Sequence, residues 1–181
     1  MFSRSLVHTL IQRHLAAMLL LLVALGAQAQ SLDVNLVNNA GLMNLKSPEA
    51  QVFSTGQPTQ EQLQALADAG VKHVINLRPA SEMEFDEKAV VESLGMMYHS
   101  IPISGAQDVT HENAASLSSM LSAMSGQPVL VHCASGNRVG ALMAVSAADT
   151  RGLSVDAAVE EGQRWGLTRL ESAVRTTLSG N

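Results

Sequence analysis

Apolar residues change their spacing along this chain, and each spacing predicts a different kind of element. Near the N-terminus they run unbroken from Leu15 to Gly26. From Gln30 to about Pro48 the sequence is Asn-rich and without a clear period, which predicts an extended lead-in over residues 30–51. After Val52 short β-branched runs alternate with stretches of helical period. Ser54-Thr55-Gly56-Gln57-Pro58 is turn chemistry, and Thr59 with Gln62 forms a capping box for a helix that turns Leu63, Leu66 and Ala67 inward and ends at Gly70. Val71 to Leu77 predicts a buried strand. The charged stretch Ser81 to Lys88 then leads into a helix carrying Ala89, Val90, Val91 and Leu94.

Met97 to Ile103 predicts a second strand. Thr110 to Met124 predicts a helix with Leu117, Met120, Leu121 and Met124 on one face, and Pro128 to His132 a third strand. Val139 to Thr150 reads as a small-residue helix, Ser154 as the cap of another, and Gly166-Leu167 as the break before a last helix reaching about Leu178. Strands alternating with helices imply an α/β fold, a mainly parallel sheet flanked by helices.

The N-terminal run changes the compartment. Arg4 and Arg13 precede it and Ala27-Gln28-Ala29 follows, the arrangement of a secretory signal peptide cleaved after Ala29. The run is 12 residues long, against roughly 20 for a spanning helix. The organisation expected is a leader over 1–29, the lead-in over 30–51 and one domain over 52–181, exported to the periplasm or medium, with no membrane span after cleavage. Cleavage would leave 152 residues (181 less 29) with 9 basic and 16 acidic side chains, net −7. That balance argues against nucleic acid as a partner and requires any anion site to be local.

An exported chain commonly spends cysteines on disulfides, but this one has a single cysteine, Cys133, and cannot be internally stapled. A lone cysteine is most often a small buried hydrophobe, so its neighbours must argue for chemistry. They do. Cys133 ends the strand Val129 to His132, and the loop Ala134-Ser135-Gly136-Asn137-Arg138 leads into a helix, so backbone N–H groups and the positive helix end share one concavity at the carboxyl edge of the sheet. Gly136 permits the positive φ of a tight nest. Arg138 can fork onto two oxygens of a phosphate. The same surroundings lower a cysteine pKa from about 8.5 toward a resting thiolate, which would attack phosphorus without any metal or cofactor. Asp108, in a polar loop after the second strand, is the candidate acid for the leaving group, with a role in capping the next helix as the alternative; Glu84 and Asp86 are fallbacks.

His132-Cys133-x-x-Gly136-x-Arg138 resembles the active-site loop of cysteine-dependent phosphatases of the dual-specificity type. The wider stretch is similar to the bacterial phosphatase-like domains also found attached to β-lactamase-like hydrolases, through Phe53 to Pro58, Gly70 to Pro79, the strand Tyr98 to Ile103, Gly162 and Gly166-Leu167. The resemblance implies the dual-specificity fold, Cys133 as nucleophile, Ala134 to Arg138 as phosphate cradle, an upstream aspartate as acid, and a phosphorylated protein, lipid or small molecule as substrate. Two departures stand out. The loop is one residue shorter than usual, with only Ala134, Ser135, Gly136 and Asn137 between cysteine and arginine. Val139 follows the arginine where a hydroxyl residue commonly assists turnover. The short loop is also that of rhodanese-type sulfurtransferases, which carry a persulfide on the cysteine, and an inactive phosphate-binding or interaction module is the third reading. His132 is read as hydrogen-bonding nearby backbone, and Arg78 either as a second anion ligand or as the partner of Glu82 or Glu84.

Overall fold

Each strand of the sheet is short and most are apolar on both faces, the signature of parallel strands covered by helices on either side. In the computed structural model, which describes residues 31–180, these are β1 (Lys46–Glu49), β2 (Val52–Thr55), β3 (His73–Asn76), β4 (Met97–Ser100) and β5 (Val129–His132). The helices are α1 (Val34–Asn39), α2 (Gln60–Asp68), α3 (Glu87–Ser93), α4 (His111–Ala123), α5 (Asn137–Arg151), α6 (Val155–Arg164) and α7 (Glu171–Ser179), with single 3-10 turns at Ala80–Glu82 and Ala106–Asp108. The sheet runs β1-β2-β5-β3-β4. Only the β1–β2 pairing is antiparallel; β2–β5, β5–β3 and β3–β4 are parallel.

Alternate residues of β5 seed two cores, because successive side chains of a strand point to opposite faces. Val129 and Val131 pack with Ile75, Leu117, Leu142, Val145, Trp165 and Val174 beneath α4 to α7. Leu130 packs with Val74, Phe53, Val37, Leu63, Leu66 and Val91 beneath α1 to α3. The mainly parallel, helix-flanked α/β architecture is the one the periodicity predicts. The Thr59–Gln62 capping box is formed in both directions. Ser154 caps α6 by accepting the N–H of Ala157.

The lead-in differs from the expectation. Residues 32–51 are not an extended approach but part of the same compact unit, which begins at Leu32. Asp33 caps α1 by accepting the N–H groups of Asn35 and Leu36, and Val37 is buried against α2. β1 then turns back through Gln51, at φ 66°, to pair with β2. A Lys-Ser-Pro-Glu segment shows no apolar alternation because it lies at the sheet edge, where charge and proline are tolerated and even protective. The signal-peptide assignment falls on residues 1–29, outside the described residues. No helix among the described residues is long and apolar enough to cross a membrane.

Candidate active site

β5 ends with His132 fully buried, so the next residue leaves the sheet still under cover, and Cys133 is only 1% exposed. The chain then has to reverse into α5 within three residues. It does so at Gly136, which takes φ +84°, the left-handed conformation that an L side chain rarely adopts. That turn aims the N–H of Gly136 at Cys133 Sγ, 3.2 Å away. Asn137, Arg138 and Val139 open α5 and so present N–H groups with no intrahelical acceptor, beside the positive end of a 15-residue helix.

The loop is braced by residues just before β1 and just after β2. Gln57 N–H donates to Ala134 O at 3.3 Å, and Asn44 Nδ2 donates to Ser135 O at 3.1 Å. Above it lies an open pocket of about 240 Å³ lined by Cys133, Ala134, Ser135, Asn137 and Arg138 from the loop, Gly105 from the β4–α4 connection, and Arg169 and Leu170. The structure therefore brings together the expected nucleophile, arginine and most of the expected cradle.

Arg138 is held rather than loose. Its Nη1 donates to Ile103 O and its Nη2 to Glu82 Oε2, both at 2.7 Å. The rest of the guanidinium remains available to an oxyanion. Glu82 is shared: Arg78 Nε donates to the same oxygen at 3.3 Å, and Arg78 Nη2 donates to Glu82 O. Burial pushes the Glu82 carboxyl up, but the hydrogen bonds and charges of Arg138 and Arg78 more than offset this and hold it below the ordinary glutamate range. Arg78 is thus the partner of Glu82 and does not line the pocket.

Behind Arg78 a polar network runs through the interior. Arg78 Nη1 donates to Gln57 Oε1 at 2.7 Å, Gln57 Nε2 donates to Glu87 Oε1 at 2.7 Å, and Asn76 Nδ2 donates to Glu87 Oε2 at 2.6 Å. His132 Nε2 lies 3.2 Å from Glu87 Oε1 with both side chains essentially buried, though out of line for a hydrogen bond. The His132 ring is thus turned to Glu87, with only a 3.5 Å contact from Nδ1 to the Cys133 carbonyl. Gln57 of the Gly-Gln-Pro segment and Asn76 and Arg78 of the Asn-Leu-Arg-Pro segment all take part in this network. Glu87 escaped the sequence reading because nothing local marks it; its partners come from the turn after β2, from β3 and from β5.

Asp108 sits elsewhere in the β4–α4 connection. Its Oδ2 accepts the Ser104 N–H at 2.6 Å, while Thr110, not Asp108, caps α4. Gly105 is the residue of that turn that lines the pocket. Asp86 caps α3 by accepting the Ala89 N–H, and Glu84 is exposed; neither lines the pocket. Val139 is fully buried in the core beneath α5, which accounts for an apolar residue where a hydroxyl is common. Asn137 turns its side chain away from the cradle: its Oδ1 accepts from Thr168 N at 2.8 Å, Thr168 Oγ1 at 3.1 Å and Leu170 N at 3.3 Å. Gly140 permits this docking, since a Cβ there would stand 2.0 Å from Leu167 N. His73 and His99, far apart in sequence, meet at 3.1 Å on the far edge of the sheet, with Gln127 on the other ring nitrogen.

A buried cysteine at the carboxyl end of a central parallel strand, a short loop of inward N–H groups and a tethered arginine define a cysteine-dependent phosphatase class of site. Residues 28–174 match the family model PTP-NADK, described as DSP-PTPase phosphatase fused to NAD+ kinase, and the chain belongs to that family. The match sets it with phosphatases rather than sulfurtransferases. The fold is shared with a DUF442 protein from Shewanella putrefaciens CN-32, at TM-score 0.63 and 24% identity over 82% of this chain and 97% of that one. It is shared equally with the nma1982 protein of Neisseria meningitidis z2491, at TM-score 0.63 and 23% identity over 77% of this chain and 99% of that one. A cysteine-to-serine form of P. aeruginosa TpbA in complex with phosphotyrosine aligns at TM-score 0.57 and 22% identity, covering 86% of this chain and 91% of that one. No curated protein sequence matches the chain.

Proposed function

We propose that this protein is an exported phosphatase that hydrolyses phosphate monoesters through a cysteinyl-phosphate intermediate. The observation that carries the reading is the placement of Cys133 Sγ, Arg138 and the opening N–H groups of α5 around one pocket. The Cys133 thiolate attacks phosphorus in line, forming the S–P bond as the P–O bond to the leaving group breaks. The departing oxygen takes a proton from a general acid, for which Asp108 of the β4–α4 connection is the candidate. Water then attacks the phosphorus, giving a proton to the carboxylate that protonated the leaving group, as the S–P bond breaks; the thiolate and the acid are restored and inorganic phosphate leaves. Arg138 and the loop N–H groups stabilise the charge that builds on the equatorial oxygens. No metal takes part. The phosphotyrosine complex of TpbA supports an aryl phosphate as a substrate that such a loop accepts.

Export rests on the leader of residues 1–29. It points to phosphoesters met outside the cytoplasm, such as phospholipid head groups, small organic phosphates or phosphorylated proteins. The test is release of nitrophenol from p-nitrophenyl phosphate by the protein and by Cys133→Ser. Activity in the parent and its loss in the variant are expected; full activity in Cys133→Ser would refute the covalent route. Thiocyanate formation from thiosulfate and cyanide, with no phosphatase activity, would return the chain to the sulfurtransferase reading.

A further inference from the structure

We infer that Arg169 is a second anion-binding residue, so that the preferred substrate carries another acidic group, a phosphate or carboxylate, close to the phosphate that is cleaved. The inference rests on the reading of the Cys133 loop as a phosphate site and adds what surrounds it. Six of the nine lysines and arginines among the described residues, Arg78, Lys88, Arg138, Arg151, Arg164 and Arg175, are ion-paired. Arg169 has no acidic partner among the described residues; it is exposed, and it lines the same pocket as Cys133 and Arg138. The nearest acidic residue in sequence, Glu171, is occupied by Arg175 at 2.9 Å. In a chain of net charge −5, an unneutralised guanidinium at the mouth of an anion pocket is poised to attract an anionic ligand.

Its place is built rather than incidental. Asn137, a member of the cradle, holds the residues on both sides of Arg169 through the three contacts from Thr168 and Leu170 to its Oδ1. Gly140 and Gly162 let the preceding segment close on α5 at distances no side chain would permit. Arg138 by contrast shares the Glu82 carboxylate with Arg78, so its charge is partly matched within the protein. One guanidinium serves the cleaved phosphate, and the other is free for a neighbouring group. A second pocket that shares Ser135 is lined by Lys46, another cation without an acidic partner among the described residues.

The experiment compares two non-hydrolysable probes, methylphosphonate with one acidic group and methylenebisphosphonate with two, by titration calorimetry on the full chain. Hydrolysis of p-nitrophenyl phosphate is followed in parallel. A charge-assisted contact corresponds to roughly a tenfold gain or more. The bisphosphonate should therefore bind at least about tenfold tighter than the monophosphonate. That ratio should fall toward unity in Arg169→Ala and recover in part in Arg169→Lys. If methylphosphonate binds and the ratio is the same in Arg169→Ala as in the parent, the assignment of Arg169 is overturned while the phosphatase reading stands. If neither probe binds and nitrophenyl phosphate is untouched, the loop is not a phosphate site and both fall. Arg169 is exposed, so its variants should keep the parent's urea midpoint, which is measured alongside binding.

Discussion

Gly140→Ala adds one methyl group at the most crowded of the described glycines, where α5 crosses the 162–167 segment. The new Cβ would stand 2.0 Å from Leu167 N, 2.6 Å from Gly162 O and 2.6 Å from Leu167 Cα. All three are backbone atoms, so no side chain can swing aside. Restoring an ordinary contact of 3.4 Å at the tightest point requires α5 and the 162–167 segment to part by about 1.4 Å (3.4 less 2.0). Overpacking of this kind costs about 1 to 3 kcal/mol, and the Leu167 N to Gly162 O hydrogen bond, now 2.9 Å, lies on the displaced segment. Adding roughly 1 kcal/mol for that bond gives an expected loss of about 3 kcal/mol. A domain of this size is worth only about 5 to 15 kcal/mol, so the variant should fold but be clearly weakened. Urea unfolding with an m of about 2 kcal/mol/M would place its midpoint about 1.5 M lower. The same parting strains the contacts between Asn137 and Thr168, so methylphosphonate binding should weaken as well. A midpoint within about 0.3 M of the parent's would show that the crossing is slack, and that the account of how residues 166–170 reach the pocket is mistaken.

Glu82→Gln removes the carboxylate shared by Arg78 and Arg138 and should destabilise the protein, with weaker oxyanion binding as Arg138 loses its tether; unchanged phosphonate affinity would speak against the tether. Because the Glu82 carboxyl titrates below its unfolded value of about 4.5, its contribution to stability is fully present above that pH. It is lost as pH falls through the lowered folded value, so the difference between parent and variant should shrink in acid denaturation curves. His111 behaves in the opposite sense. The hydrogen bond to Asp149 Oδ2 at 2.8 Å raises its pKa above 6.5. Its contribution is therefore full below that value and disappears as pH rises through the raised one. Denaturant midpoints of His111→Gln should lie below the parent's at mildly acidic pH and meet them in alkali, by a small margin because the pair is exposed; a constant gap would refute the assignment.

The parallel core was legible because its signals are local. Val129 to Val131 are apolar on both faces, and Thr59 and Gln62 name a helix start within four residues. Cys133, Gly136 and Arg138 were legible for the same reason, since the cradle is one continuous loop. What escaped depends on distant partners. β1 is a strand because β2 offers it an edge, not because Lys46 to Glu49 favours one. Glu87 is buried because Gln57, Asn76 and His132 converge on it, and a glutamate in a charged stretch gives no hint of that. Arg169 reaches the pocket through the Asn137 amide, across more than thirty residues of sequence.

A hydrogen-bonded path runs from Glu87 through Gln57, Arg78 and Glu82 to Arg138, with the His132 ring 3.2 Å from Glu87 at the carboxyl end of the cysteine strand. Residues so linked do not contribute independently, because the loss of one leaves the next without its partner. Substitutions along it should be strongly epistatic, with paired changes less damaging than the sum of the single ones. Over evolutionary time that coupling would leave a record: among homologues, positions 57, 78, 82, 87, 132 and 138 should change together or not at all.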